Sequence, residues 1–259
     1  MTPLIFHIPH SSTVVPAEVR KSLLLDGAAL EAELLRMTDH WTDTLFDVPG
    51  VGAELVIFPV SRLVVDPERF ADDAGEPMAA RGMGAVYEKT ADLRPLRKTL
   101  SAEGRRALID RFYRPHHHLF SRWVGRALAR CARCLIVDCH SFPSSPLPYE
   151  CDQSPDRPEI CIGTDAFHTP GPLATEAVVL FEKAGFRTAV NRPFAGAIVP
   201  MEYYCRDPAV SSIMIEVNRS QYMDEKTCGR LPAFANMQLR LAGCLARLAE
   251  VFKKMGRTT

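Results

Sequence analysis

The chain contains 259 residues, of which 47% are hydrophobic and 24% are charged. This length and composition are typical of a folded domain with a substantial core, and they disfavour a disordered chain. Lysine plus arginine number 31, as do aspartate plus glutamate, so the formal net charge is zero. The chain therefore lacks the global positive field that would hold nucleic acid or an anionic membrane surface.

The sequence predicts a protein of the reducing cytoplasm. No apolar run approaches the roughly 20 residues that a bilayer span needs, and residues 1–7 carry no basic segment before their short apolar stretch, so no signal peptide is expected. The eight cysteines lack paired spacing and are interpreted as free thiols. Cys131 and Cys134 form the only CxxC, which by itself does not predict a zinc or redox site.

Short apolar runs alternate with longer helical patterns along the chain. Strands are predicted at residues 4–8, 53–60, 134–138, 187–190 and 212–217, and helices at residues 16–36, 101–130, 172–183 and 232–253. We expect a break at Gly27, an N-cap at Ser101, a kink at Pro115 and a helix end at Gly185. The pattern predicts an α/β fold, a three-layer α/β/α sandwich with a mostly parallel or mixed sheet, as a single domain over residues 1–259.

Polar side chains follow the predicted strands at their carboxyl ends, where ligands of α/β folds bind. His10 comes just after the first strand and either projects into a site or caps a turn. Asp138 and His140 are two residues apart, so they face the same way in an extended strand, whereas Cys139 faces the opposite way. Asp138 is therefore predicted either to orient a metal-binding imidazole or to be a ligand itself.

The last predicted strand carries an acidic residue inside an apolar run. A carboxylate at Glu216 is costly there unless it is paired, bound or functional. Glu216 is accordingly interpreted as a general base or a neighbour of a metal, or else as the structural partner of Arg219 or another arginine. The proline-rich loop after His140 is interpreted as a wall or lid of the site, or as an inert surface loop.

Two further polar clusters occur between the first and third predicted strands. Asp39 and Asp43 are four residues apart, which on a helix would place both on one face, with a cation between them or a helix N-terminus beneath. Arg62 and Arg69 could clamp a carboxylate in bidentate fashion, or could form a surface ion-pair network with Asp66. The three consecutive histidines at 116–118 point in different directions on a helix and are not expected to share one ion.

Taken in order, these segments resemble the N-formylglutamate amidohydrolase family, also called N-formylglutamate deformylase. The segments are His-Ile-Pro-His-Ser-Ser, Thr-Asp-x-x-x-Asp, Ser-Arg-x-x-x-Asp-x-x-Arg, Asp-x-His-Ser and Glu-x-Asn-Arg, and together they extend from His7 to Arg219. The resemblance implies a fold related to zinc-dependent exopeptidases. It also implies hydrolysis of N-formyl-L-glutamate to formate and glutamate during histidine breakdown.

The resemblance also implies roles for individual residues. The family motifs fall on His10, Asp39, Asp43, Arg62, Asp66, Arg69, His140, Glu216 and Arg219. We expect His10, Asp39 and His140 to bind one zinc ion, with a position left open for water. Related carboxypeptidases supply the carboxylate from a His-x-x-Glu pair, but here Ser11, Ser12 and Thr13 follow His10. Asp39 is therefore the first choice for the carboxylate ligand, and Asp43 and Asp138 are the alternatives.

Glu216 is expected to act as the catalytic general base. Arg62, Arg69 and Arg219 are expected to bind a small acidic N-acyl amino acid. One alternative is a dinuclear hydrolase of the ureohydrolase type, since Asp138-x-His140 fits part of such a site, although Ser141 and Phe142 stand where a further aspartate would be needed. Another alternative is a metal-free binding protein for acidic amino acids.

Overall fold

A six-stranded mixed sheet lies at the centre of the computed structural model, which describes residues 3–255. The strands are β1 (Leu4–Ile8), β2 (Glu54–Ile57), β3 (Cys134–Phe142), β4 (Ile160–Gly163), β5 (Thr188–Val190) and β6 (Val210–Asn218). Their order in the sheet is β2-β1-β3-β6-β4-β5, and every pairing is parallel except that between β4 and β6. The mixed sheet between helical layers confirms the predicted α/β sandwich.

The helices cover both faces of this sheet. They are α1 (Ala17–Arg20), α2 (Gly27–Met37), α3 (Thr42–Leu45), α4 (Ala102–Leu108), α5 (Arg114–Cys131), α6 (Gly171–Lys183) and α7 (Phe234–Met255). Phe6 and Ile8 of β1 pack in one core with residues of α3, α6 and α7, whereas Ile5 packs with Phe120 of α5 on the other side. Among residues 3–255, no helix combines the length and the apolar character that a membrane span requires.

The predicted helix interruptions are present, each with a local cause. Asp26 accepts a hydrogen bond from the Ala29 N–H, so α2 starts anew after α1. Ser101 caps α4 in the same way by accepting from the Gly104 N–H. In place of a simple kink at Pro115, a π-helical turn (Ile109–Tyr113) joins α4 to α5 just before it. Pro115 has no N–H to donate to an earlier carbonyl, and a widened turn accommodates that loss.

Three strand predictions need correction. Strand β3 continues to Phe142, four residues beyond the predicted end, so Asp138 and His140 lie within the strand. Strand β2 is shorter than predicted, and β4 was not predicted at all. The β4 segment has only four residues, and it is extended because its backbone pairs with β6 on one side and β5 on the other. Such pairing between distant segments leaves no periodic signal in so short a run.

Candidate active site

The carboxyl ends of β1, β3 and β6 open into a pocket of about 380 Å³. His10 lies two residues beyond β1, His140 lies in β3, and Glu216 is the register partner of His140 in β6. All three residues line the pocket. The sheet therefore assembles side chains from distant parts of the sequence at the edge where parallel strands present ligand sites.

His10, Asp39 and His140 form a buried cluster that we call the catalytic cluster. Asp39 Oδ2 lies 3.2 Å from His140 Nδ1 and 3.6 Å from His10 Nδ1, and all three ligand atoms lie within 4.8 Å of one another. The Asp39 backbone N–H donates to the His10 carbonyl at 3.0 Å, which holds the two segments together. Two imidazoles and one carboxylate are a donor set that catalytic zinc sites with an open position use.

The outward-facing nitrogens of both imidazoles are held by carboxylates. His10 Nε2 contacts Asp66 Oδ1 at 2.8 Å, and His140 Nε2 contacts Asp138 Oδ1 at 3.0 Å. A carboxylate that accepts the Nε2–H leaves the Nδ1 lone pair directed into the cluster. Within the described part of the chain, His10 Nδ1 is buried without a hydrogen-bond partner, which is the state expected of a nitrogen that binds a metal.

The charges around the catalytic cluster keep Asp39 ionised and favour a positive charge beside it. Burial raises the pKa of Asp39, but the neighbouring His10 and His140 imidazoles, together with the charge of Arg219, hold it well below the usual range. Burial disfavours a charged His140, but Asp138 and Asp39 outweigh burial and raise its pKa well above the usual value. The Arg219 Nη2 donates to Asp39 Oδ1 at 3.0 Å and so holds the carboxylate in place.

Glu216 is a buried carboxylate without a structural partner. Burial raises its pKa to about 8, with the charge of His140 opposing this and those of Asp39 and Asp138 adding to it. Its Oε2 has no hydrogen-bond partner among residues 3–255, and none of the ion pairs described there includes it. The alternative in which Glu216 pairs with Arg219 is therefore wrong, because Arg219 binds Asp39 instead.

The three arginines selected from the sequence all line the pocket, but their donors differ in availability. Arg62 donates from Nε to the Tyr87 hydroxyl at 3.0 Å and from Nη2 to Asp66 at 2.9 Å. Arg219 donates to Asp39, to Ser141 and to the Arg36 carbonyl. The Arg69 side chain is 24% exposed, and its one ion pair among the described residues is a 3.9 Å contact from Nε to Asp66. This Nε has no hydrogen-bond partner there.

The expected ion-pair network of Arg62, Asp66 and Arg69 exists, but it is buried rather than on the surface. Asp66 is completely buried and accepts from Arg62, from the Tyr87 hydroxyl and from the Glu68 backbone N–H. Because Asp66 also holds His10, this network connects the wall of the pocket to the catalytic cluster.

The pairing of Asp39 with Asp43 on one helical face is wrong. Trp41 adopts a left-handed backbone conformation (φ 68°), so the helix starts only at Thr42 and the two aspartates point apart. Asp39 is buried, whereas Asp43 is exposed and accepts from the Thr44 N–H, which removes it as a candidate ligand. The sequence could not predict this change in backbone direction at Trp41, because a tryptophan rarely takes a positive φ.

The remaining expectations concern neighbouring segments. The loop that follows His140 forms a wall of the pocket through Pro143, Leu147 and Tyr149. The three histidines at 116–118 diverge as predicted, since His116 is buried, His117 lines the pocket and His118 is exposed. Cys139 is buried in the core on the opposite face of β3.

Two residues near the site were not assigned a role from the sequence. His7 is completely buried, and its Nδ1 contacts Asp138 Oδ1 at 3.1 Å. Glu68 lines the pocket and its Oε1 lies 3.0 Å from His7 Nδ1. His7 is brought to the site because it is the register partner of Asp138 in the adjacent strand. This register depends on strand pairing, so the sequence alone does not show it.

The fold and site define a class of enzyme. Buried imidazoles and a carboxylate lie together at the carboxyl ends of the central strands, and an unpaired glutamate lies beside them with arginines in the pocket wall. This combination of a histidine–aspartate cluster able to hold a cation, a candidate base and arginine side chains is typical of a hydrolase that activates water against a carbonyl.

Comparison with known proteins agrees with this class. Residues 2–223 match the N-formylglutamate amidohydrolase family, so the chain belongs to that family and is a hydrolase that acts on an amide. The N-formylglutamate deformylase of Pseudomonas putida is 29% identical over 232 residues, which cover 86% of this chain and 82% of the relative.

Two solved structures are similar over almost the whole chain. The N-formylglutamate amidohydrolase of Ralstonia eutropha JMP134 matches with a TM-score of 0.82 and 26% identity, and the match covers 98% of this chain and 95% of that one. A gene product of Agrobacterium tumefaciens matches with a TM-score of 0.67 and 19% identity, covering 99% and 92%, and at that identity the likeness concerns the fold alone.

Proposed function

We propose that this protein hydrolyses the formyl amide of N-formyl-L-glutamate to formate and L-glutamate, as a single cytoplasmic domain serving histidine breakdown. The observation that carries the proposal is the unpaired buried carboxylate of Glu216 beside the catalytic cluster. The family and the relatives named for this substrate support the choice of amide. Buried cysteines such as Cys134, Cys139 and Cys161 form no disulfide, which agrees with a reducing compartment.

The catalytic cluster fits one zinc ion, which would be held by His10 Nδ1, His140 Nδ1 and Asp39 Oδ2. A zinc ion bound there would lower the pKa of water and would polarise the amide carbonyl. The protein orients the three ligands through hydrogen bonds, which His10 forms with Asp66, His140 with Asp138 and Asp39 with Arg219. The orphaned Nδ1 of His10 supports this assignment, because a buried imidazole nitrogen without a partner is otherwise destabilising.

Glu216 moves the protons of the reaction. Its carboxylate accepts a proton from the attacking water as the water oxygen forms a bond to the formyl carbon. It then donates that proton to the amide nitrogen as the carbon–nitrogen bond breaks, which releases formate and the amino group of glutamate. The pKa of Glu216 is raised to about 8, which is close to neutral pH. A side chain with such a pKa can both accept and donate a proton during the reaction.

The arginines divide between substrate binding and support. Arg69 has free guanidinium donors at the pocket wall and is assigned to a carboxylate of the substrate. Arg62 contributes its Nη1, since its other donors bind Tyr87 and Asp66. Arg219 lines the same pocket, and its bonds to Asp39 give it a positioning role in addition to the substrate contact expected from the sequence.

A substrate series tests the function directly. We expect kcat/KM to be highest for formyl-glutamate, lower for formyl-glutamine and lowest for formyl-leucine, because a buried guanidinium left without its anion is penalised. The measurement is formate release with the three compounds on one preparation, with and without added Zn²⁺. Equal values for the three compounds would contradict selection of acids. Absence of hydrolysis with retained binding would favour the alternative of a binding protein.

Replacement of the arginines tests how the carboxylate is bound. Arg69→Gln is expected to lower kcat/KM for formyl-glutamate by about 10–150-fold, which corresponds to the roughly 1.5–3 kcal/mol of a charge-assisted hydrogen bond. Arg62→Lys is also expected to be harmful, because lysine cannot present a planar fork to Asp66 and the substrate together.

The control for both variants is Arg94→Gln, since the Arg94 side chain is 68% exposed. It should leave the kinetics unchanged. If Arg69→Gln lowered kcat/KM equally for formyl-glutamate and formyl-leucine, Arg69 would not bind the carboxylate that distinguishes them.

A further inference from the structure

A second group of potential ligands lies beside the catalytic cluster and shares none of its residues. His7 Nδ1 lies 3.1 Å from Asp138 Oδ1 and 3.0 Å from Glu68 Oε1, and the three atoms all lie within 4.8 Å of one another. His7 and Asp138 are fully buried, and the Glu68 side chain is 13% exposed. We call this group the inner cluster. It lies on the Nε2 side of His140, whereas the catalytic cluster lies on the Nδ1 side.

The inner cluster contains more carboxylate oxygens than N–H donors to bind them. Two carboxylates approach the same nitrogen of His7, and one N–H can serve only one of them well. Asp138 Oδ1 also receives the Nε2–H of His140 at 3.0 Å, whereas Glu68 Oε1 is buried without a hydrogen-bond partner in the described residues. A buried carboxylate oxygen in this state is costly unless a cation lies next to it.

The other nitrogen of His7 strengthens this argument. His7 Nε2 lies 2.9 Å from His116 Nε2, a hydrogen bond that requires a proton on one of the two nitrogens. When His7 supplies that proton and is itself neutral, its Nδ1 lone pair faces the two carboxylates, and a cation placed between the three groups would stabilise this arrangement. His7 also stacks on Phe120 at 4.6 Å with the rings nearly parallel, so the ring is held in this orientation.

We infer that the inner cluster binds a second divalent cation of the zinc class, through His7 Nδ1, Glu68 Oε1 and Asp138 Oδ1. One imidazole and two carboxylates are a donor set that zinc accepts, and the two negative charges match the charge of the ion. The ion would be additional to the catalytic one. Because Asp138 also holds His140, the inner ion would stabilise the orientation of a catalytic ligand.

The inner cluster differs from the dinuclear ureohydrolase arrangement considered from the sequence. In that arrangement Asp138 and His140 would both belong to one pair of ions that act on the substrate. Here Asp138 faces the inner cluster, and His140 faces the catalytic cluster through its other nitrogen. The inference depends on the geometry around His7 and does not depend on the proposed substrate.

Native mass spectrometry of the full chain, after equilibration with Zn²⁺ and buffer exchange, tests this inference. Glu68→Gln and Glu68→Ala are each expected to hold one ion fewer per chain than the wild type. The matched control Glu202→Gln changes an exposed carboxylate and should hold the wild-type number. Circular dichroism identifies which of the two Glu68 variants is folded, and one folded variant is sufficient. A folded Glu68 variant that holds as many ions as the wild type would overturn the inference.

The same experiment separates the inner ion from the catalytic one. His10→Ala removes a ligand of the catalytic cluster only, so it should lose one ion and keep the inner one. If His10→Ala loses no ion while Glu68→Gln loses one, the zinc assignment of the proposed function fails and the inner site stands. If His10→Ala loses one ion and Glu68→Gln loses none, the inner site fails and the catalytic assignment stands.

Discussion

Glu216→Gln is expected to lower kcat by about 10²–10⁴-fold, which is the usual effect of removing a general acid–base group. Glutamine keeps the size of the side chain and loses the ability to accept a proton. Because Glu216 is not among the three ligands assigned to the catalytic ion, the variant should retain the wild-type zinc content. Steady-state kinetics with formyl-glutamate, combined with elemental analysis of the same sample, measure both quantities.

The variant is also expected to be at least as stable as the wild type. Burial disfavours the charged form of Glu216, and a neutral amide removes that cost. The control Glu176→Gln changes an exposed residue of α6 and should have no effect on turnover. Turnover close to normal in Glu216→Gln would show that another group moves the proton. A loss of zinc in the same variant would show that Glu216 is a ligand.

His10→Ala and His140→Ala are each expected to lose the catalytic zinc ion and, with it, essentially all hydrolysis of formyl-glutamate. Each change removes one of only two imidazoles in the catalytic cluster, and a single imidazole with one carboxylate binds zinc weakly. Zinc content by elemental analysis and kcat/KM on the same preparations check this prediction.

The matched control is His117→Ala, because His117 lines the pocket but lies outside both clusters. This variant should keep its zinc. Thermal unfolding of all three variants tests whether each remains folded, which is expected for His10→Ala because Asp66 retains Arg62 and Tyr87 as partners. A folded double variant, His10→Ala with His140→Ala, that still holds the wild-type amount of zinc would contradict the assignment of the catalytic cluster.

Local features of the fold were predictable because their causes are local. The N-cap at Ser101 follows from a hydroxyl that reaches the N–H three residues later, and the interruption near Pro115 follows from a missing N–H. Buried strands such as β1 and β6 follow from apolar side chains on both faces. The short β4 follows from pairing with β6 and β5, which no local pattern records.

Some features of the candidate site were likewise predictable from the sequence, whereas others depend on the tertiary structure. Residue type and position at strand ends were sufficient to select His10, His140 and Glu216, and the ordered motifs indicated the family that the comparisons confirm. The sequence favoured Asp39 but left Asp43 open as an alternative ligand, since one positive φ at Trp41 decides which of them is buried. It also did not distinguish the three arginines, because their difference depends on which donors are already bound.

The sequence by itself determined the α/β class, the family and the candidate residues that line the pocket, because composition, periodicity and ordered motifs are properties of the linear chain. Only the tertiary structure decided how these residues are paired. Arg219 binds Asp39 and leaves Glu216 without a partner, and His7 meets Asp138 because β1 and β3 are adjacent in register. Such pairings join residues more than a hundred positions apart, and their geometry exists only once the sheet has formed.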